Sequence, residues 1–167
     1  RLFDDLTVLE NVLIGGHLQS KIGLGRIFFT RNPIPKQEIE EAITTLEFVG
    51  LSDLKNQLPS SLPHGHQTML DIAIAMASKP KLLLLDEPLG GMSADEISSI
   101  LNLIGKLRQS GTTILLVEHN MRAVMETCDR ITVLNFGRKI AEGSPDEIAH
   151  NKEVIEAYLG VEEDYGA

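Results

Sequence analysis

The chain has 167 residues, 15 Lys+Arg against 24 Asp+Glu, 43% hydrophobic content and one cysteine. That length suits a single hydrophobic core and argues against a two-domain enzyme, while a net charge of −9 argues against a general nucleic-acid binder, though not against a local basic patch. Cys128 alone supplies neither an internal disulfide nor a structural zinc site, which fits a reducing cytoplasm, and no apolar run reaches the ~18–20 residues of a membrane span or has the pattern of a signal peptide.

Thr7 and Glu10 have the spacing of a capping box and predict a helix over about 8–19. The stretch from His17 to Lys36 holds Lys21, Arg26, Arg31 and Lys36, no acid, and the apolar residues Ile22, Leu24, Ile27, Phe28 and Phe29; Pro33 and Pro35 close it. Ile39, Ile43, Leu46 and Val49 recur at helical spacing before Gly50, which predicts a second helix with a left-handed end. Met69, Ile72, Ala73 and Met76 form the buried stripe of a third, stopped at Lys79-Pro80.

The wholly apolar run Leu82 to Leu85 predicts a strand covered on both faces, ending in Asp86-Glu87-Pro88. Ser93 and Glu96 make another capping box, with Ile97, Ile100, Leu101, Ile104 and Leu107 as the core face of a helix ended by Gly111. Thr112 to Val117 predicts a second buried strand. Strand, crossover helix and strand at this spacing call for a right-handed parallel βαβ unit, with ligands gathered at the carboxyl ends of its strands. Asp86-Glu87 and Glu118-His119 are therefore expected in one crevice. A short helix near 121–127, a hairpin turning through Asn135-Phe136-Gly137, and a terminal helical segment from Ser144-Pro145 complete the chain. From Ala141 to Ala167 there are eight acids and one base, Lys152, so most of the net charge belongs to the tail.

Two adjacent carboxylates at a rigid strand tip suit phosphoryl chemistry, one holding Mg²⁺ and the other orienting and deprotonating the attacking water. Read alone, the pair serves equally as a turn cap and a solvated carboxylate. Leu62-Pro63-His64-Gly65-His66-Gln67 opens a helix upstream, and exposed helix-start amides beside a glycine make an anion site.

In their order and spacing, these residues resemble the ATP-binding subunit of an ABC transporter: a degenerate signature at Leu62–Gln67, a Walker B strand at Leu82–Glu87, a D-loop at Gly90–Ser93 and a switch histidine at His119. The resemblance is to the branched-chain amino acid importers in Gly91-Met92-Ser93, in Val117-Glu118-His119-Asn120-Met121 and in the closing Val154-Ile155-Glu156-Ala157-Tyr158-Leu159-Gly160. It implies an α/β fold, the carboxy-terminal part of an ABC-type P-loop NTPase with a parallel β core, crossover helices and an α-helical subdomain. The expected division is 1–78 for the helical subdomain, 79–143 for the α/β core and 144–167 for a helical tail.

The resemblance further implies that Asp86 serves Mg²⁺, that Glu87 is the catalytic base, and that His119 senses the γ-phosphate. Leu62, Pro63, His64, Gly65, His66 and Gln67, with Gly91, Met92 and Ser93, would contact ATP held by a second cassette. The implied partners are that second ATPase subunit, transmembrane permease subunits docked on the His17–Lys36 segment, and indirectly a solute-binding protein, at the inner face of the membrane. Pro63 stands where many cassettes have Ser, His64 where many have Gly, and Ser93 where Asp or Asn is usual; Thr68 and Ile74 replace common basic residues. Each change weakens anion contact. No G-x-x-x-x-G-K-[ST] loop occurs in the 167 residues, so the phosphate-gripping lobe is expected to lie outside them, and this chain alone is not expected to hydrolyse ATP. The alternatives are a non-hydrolytic cassette fragment serving as an interaction module, and the ATPase of another ABC system such as lipopolysaccharide export.

Overall fold

The computed structural model describes residues 2–17 and 34–159. Residues 18–33 of the basic-apolar segment expected to dock on membrane subunits, which include the last two residues of the first expected helix, and the end of the acidic tail lie outside the described residues. Contacts divide the chain into two compact units, Arg1–Val117 and Glu118–Ala167.

The first unit begins with three helices, α1 (Val8–His17), α2 (Lys36–Val49) and α3 (His64–Ala77), packed pairwise against one another. Thr7 and Glu10 form the expected box: the Thr7 amide donates to Glu10 Oε2 at 2.7 Å and the Glu10 amide to Thr7 Oγ1 at 3.3 Å. Two more first-turn amides of α1, on Val8 and Leu9, find the carbonyls of Gln57 and Lys55, so the 3₁₀ turns at Ser52–Leu54 and Pro59–Ser61 belong to the packing of the helix start. Gly50 ends α2 at φ 81° as expected.

Asn11 is fully buried in α1, a position with no mark in the sequence. Its Oδ1 accepts from the Phe3 amide at 2.9 Å, and its Nδ2 donates to the carbonyls of Phe3, Leu6 and Thr7 at 3.0–3.1 Å. One side chain therefore satisfies the backbone leading into the helix. Asn11→Leu leaves those groups buried without a partner and should lower stability by about 3 kcal/mol. Urea unfolding reads this directly, and a loss within experimental scatter would contradict the bracing role.

A parallel βαβ unit follows, with β1 (Leu82–Asp86), α4 (Ala94–Gln109) and β2 (Thr113–Val117). The register pairs Leu82 with Thr113, Leu84 with Leu115 and Asp86 with Val117. The core face of α4 is Ile100, Leu103, Ile104 and Leu107; Leu103 joins it, while Ile97 and Leu101 are half-buried at its margin. The expectation of strands covered on both faces is corrected. Leu83 and Leu85 are buried, but Leu82, Leu84, Leu115 and Val117 are 52%, 65%, 55% and 52% exposed. By the register these four share one face. A crossover helix covers one side of a sheet, and among the described residues no element covers the other. Leu84→Lys with Leu115→Lys should therefore reduce self-association of this 167-residue chain by sedimentation and reduce its binding of a hydrophobic dye, with helicity unchanged. Equal dye binding before and after would show that the face is covered in solution.

The second unit contains α5 (Met121–Thr127), the hairpin β3 (Ile131–Asn135) and β4 (Arg138–Gly143), then α6 (Pro145–Ala149) and α7 (Lys152–Leu159). Asn120 caps α5 by accepting from the Ala123 amide at 3.1 Å. The hairpin turns through Phe136 and Gly137 at φ 44° and 74°, the two left-handed residues that match strand twist. Ser144 and Glu147 form a capping box with Pro145 at the first helical position. Val124, Ile131, Val133, Ile148 and Val154 make this unit's core, with Cys128 packed at its edge.

Candidate functional site

The βαβ unit sets the first part of the site. Leu83 and Leu85 anchor β1, and the chain emerges at Asp86 and Glu87, both exposed. Glu87 adopts φ 46°, a left-handed conformation that costs a non-glycine residue about 1–3 kcal/mol and persists only where the surroundings fix it. They do so here: its amide donates to the Val117 carbonyl at 2.9 Å, and its own carbonyl accepts from the Gly90 amide at 3.3 Å. The strand tip is thereby turned sharply out of the sheet. Leu89 is buried beneath the turn, Gly91 is left-handed at φ 71°, and the Met92 amide returns to the Leu89 carbonyl at 3.4 Å.

Ser93 then caps α4. Its amide and hydroxyl donate to Glu96 Oε2 at 2.9 and 2.8 Å, and the Glu96 amide donates back to Ser93 Oγ at 3.4 Å. The other carboxylate oxygen of Glu96 leaves its own helix: Oε1 accepts from the Gly65 amide at 3.0 Å. The Ser93 amide and hydroxyl, then the Gly65 amide, hold the Glu96 carboxyl at a pKa of about 2.

Gly65 sits in the first turn of α3, which starts after Pro63 with no side-chain cap. A Cβ at Gly65 would lie 2.9 Å from Glu96 Cγ, so glycine is what permits the approach. Leu62 is buried, and Gln67 turns back so that its Nε2 donates to the Leu62 carbonyl at 3.0 Å. Pro63 and His64 are exposed, and His66 and Gln67 are half-buried. His66 Nδ1 is buried with no hydrogen-bond partner. His64 Nε2–H donates to the Gly90 carbonyl at 3.1 Å, a bond that requires the proton on Nε2.

The expected signature and D-loop residues thus meet, through His64–Gly90 and Gly65–Glu96, and Gly90 in turn is bonded to Glu87. Glu96 is the residue that sequence reasoning missed as a site element: its capping-box spacing was legible, but its contact with a residue 31 positions away carries no local signal. His119 follows β2 and belongs to the second unit. It is exposed there, and its amide donates to Glu118 Oε2 at 3.2 Å.

Asp86 and Glu87 present hard oxygen donors at an exposed tip, which suits Mg²⁺, an ion that takes one or two carboxylates and completes its shell with water and phosphate oxygens. Among the described residues no group of three or more His, Cys, Asp or Glu could hold a metal ion by itself.

A parallel strand ending in Asp-Glu, followed by a capped crossover helix and joined to a glycine-bearing helix start, defines an α/β unit whose loops gather at the carboxyl end of β1. Comparison with known proteins shows which family shares this arrangement. A family model described as ABC transporter matches residues 1–90, and a second, described as branched-chain amino acid ATP-binding cassette transporter, matches residues 138–164. The chain is 42% identical over 164 residues to the high-affinity branched-chain amino acid transport ATP-binding protein LivG of Salmonella typhimurium, covering 96% of this chain and 64% of that protein. It is 30% identical to the lipopolysaccharide export ATP-binding protein LptB of Haemophilus influenzae, over 95% of this chain and 61% of that one. The ADP conformation of MJ1267, an ATP-binding cassette of an ABC transporter, superposes with a TM-score of 0.79 at 30% identity, over 95% of this chain and 64% of that chain. The chain belongs to the ABC transporter ATP-binding family. It spans 64% of the length of its LivG relatives.

Proposed function

We propose that the chain is part of the ATP-hydrolysing subunit of an ABC transporter that imports branched-chain or related amino acids. The observation that carries the reading is the continuous linkage of His64, Gly90 and Glu87, which joins the signature to the adjoining Walker B and D-loop segments 26 positions on. Residues 1–78 supply the helical subdomain, 79–143 the α/β core and 144–167 the tail.

In this reading Asp86 serves Mg²⁺, which when bound neutralises phosphate charge, and Glu87 takes the proton from the attacking water. His119 donates to the γ-phosphate and loses that partner on hydrolysis. Pro63, His64, Gly65, His66, Gly91, Met92 and Ser93 face a nucleotide held by a second cassette, while Leu62 and Gln67 shape the loop behind them. Two cassettes pair head to tail, close on ATP, and transmit the closure to transmembrane permease subunits, with a solute-binding protein delivering cargo on the far side. No helix among the described residues is long and apolar enough to cross a membrane.

The test is reconstitution of the full-length subunit with its permease in vesicles. Leucine, isoleucine or valine with the cognate binding protein should stimulate ATP hydrolysis, while lipid A-bearing lipopolysaccharide should not. Stimulation by the lipopolysaccharide alone would move the assignment to the export branch represented by LptB.

A further inference from the structure

We infer that Glu96 is a positioning residue that fastens the signature-helix start to the D-loop, so that the two segments move as one piece. The inference rests on the cassette reading above and adds to it a residue that the motif pattern does not contain.

Glu96 is strapped from both sides. Ser93 holds one carboxylate oxygen with its amide and its hydroxyl, so the other is aimed at Gly65 rather than free to swing in solvent. Gly65 lets the backbone of α3 lie directly on the Glu96 side chain, because no Cβ fits between them. A second link, from His64 to the Gly90 carbonyl, joins the same two segments on the far side of the D-loop turn. Two separated bonds resist rotation as well as translation. Leu62 and Leu89, both buried, seat the two loops below the bonds. A displacement of the D-loop by a partner cassette would therefore be delivered to the amides that face that partner's nucleotide.

The Gly65 amide is taken by Glu96, so the donors left to the uncapped start of α3 are the adjoining first-turn amides. Glu96 fixes where that turn stands before any nucleotide arrives, which lowers the ordering cost of closure. Glutamine in its place has the same volume but only one acceptor oxygen, so it cannot serve Ser93 and Gly65 together.

The test follows ATP-dependent pairing of the full-length subunit carrying Glu87→Gln, by sedimentation at increasing ATP. Adding Glu96→Gln should raise the ATP concentration for half-maximal pairing roughly tenfold, the loss expected for one charged hydrogen bond at the contact. Glu96→Asp, which keeps the helix-start charge but shortens the reach, should shift it in the same direction and guards against a variant that fails to fold. Glu147→Gln is the matched control: it makes the same lesion in the capping box of α6, so it should cost similar thermal stability and leave pairing unchanged. Hydrogen exchange at the Gly65 amide should quicken in the Glu96 variants and not in Glu147→Gln. Unchanged or tighter pairing on Glu96→Gln, with the parent still pairing, overturns the inference and leaves the cassette reading standing. A parent that does not pair with ATP overturns that reading and the inference with it.

Discussion

Glu87→Gln in the full-length subunit should lower ATP turnover by roughly 10²–10⁴-fold while ATP affinity is retained. The size of the effect follows from the role proposed for the carboxylate. A glutamine amide cannot accept the proton of the attacking water, whereas its volume and its backbone bonds match those of glutamate. Those bonds matter, because the left-handed turn at Glu87 is held by the Val117 carbonyl and the Gly90 amide, neither of which touches the side chain. The substitution therefore removes the base without moving the strand tip. Glu87→Asp separates chemistry from reach: it keeps a carboxylate but withdraws it by one methylene, and a misplacement on the order of 1 Å costs about 10²-fold when a reactant must be aligned. Turnover for Asp should fall between those of glutamate and glutamine. Steady-state hydrolysis and equilibrium binding of ATP measure the two halves of the prediction. Near-normal hydrolysis by Glu87→Gln would remove the base assignment and leave Glu87 as a turn residue.

The legible parts of this chain were those whose causes are local. The capping boxes at Thr7 and Ser93, the glycine end of α2 and the helix start at Ser144-Pro145 each depend on residues within four positions, and each stands where the sequence predicts it. The parallel crossover was also legible, since two apolar runs separated by one amphipathic helix admit few topologies. What escaped was non-local. Periodicity put Leu101 and Ile97 on the core face of α4 but cannot weigh them against Leu103, whose burial depends on what α4 packs against. Apolar content at Leu82, Leu84, Leu115 and Val117 predicts burial, yet among the described residues nothing covers that face. The candidate site divides in the same way. Asp86 and Glu87 stand out by their place after an apolar run, while the bonds that join Gly90 and Glu96, further along, to the signature cross 26 and 31 positions and leave no periodic trace.

The packing of α1 on α3 offers a prediction of opposite sign at two adjacent positions. Gly15 and Gly16 both lie inside α1, so each costs the helix about 0.8–1.0 kcal/mol relative to alanine by intrinsic propensity. On propensity alone both substitutions by alanine would stabilise. At Gly16 the added Cβ meets the Ala77 carbonyl oxygen and Cβ at 3.7 and 3.8 Å, ordinary van der Waals contact, so Gly16→Ala should raise stability by up to about 1 kcal/mol. At Gly15 the Cβ would fall into the backbone carbonyl oxygen of Ile74 and lie 2.9 Å from its Cγ2. A backbone oxygen inside a neighbouring helix cannot turn aside as a flexible side chain does, so α1 and α3 must separate. Overpacking of this kind costs about 1–3 kcal/mol, and separation also loosens the packing around Val12 of α1 and Leu70 of α3, both fully buried. Gly15→Ala should therefore lower stability by about 2 kcal/mol net of the propensity gain, and Gly15→Val by more, because its branched side chain also carries a helix penalty. Thermal and urea unfolding of the three variants decide the matter together. If Gly15→Ala and Gly16→Ala both stabilise, the close approach of α1 to α3 is absent in solution; if both destabilise, the loss comes from α1 itself and not from its contact with Ile74.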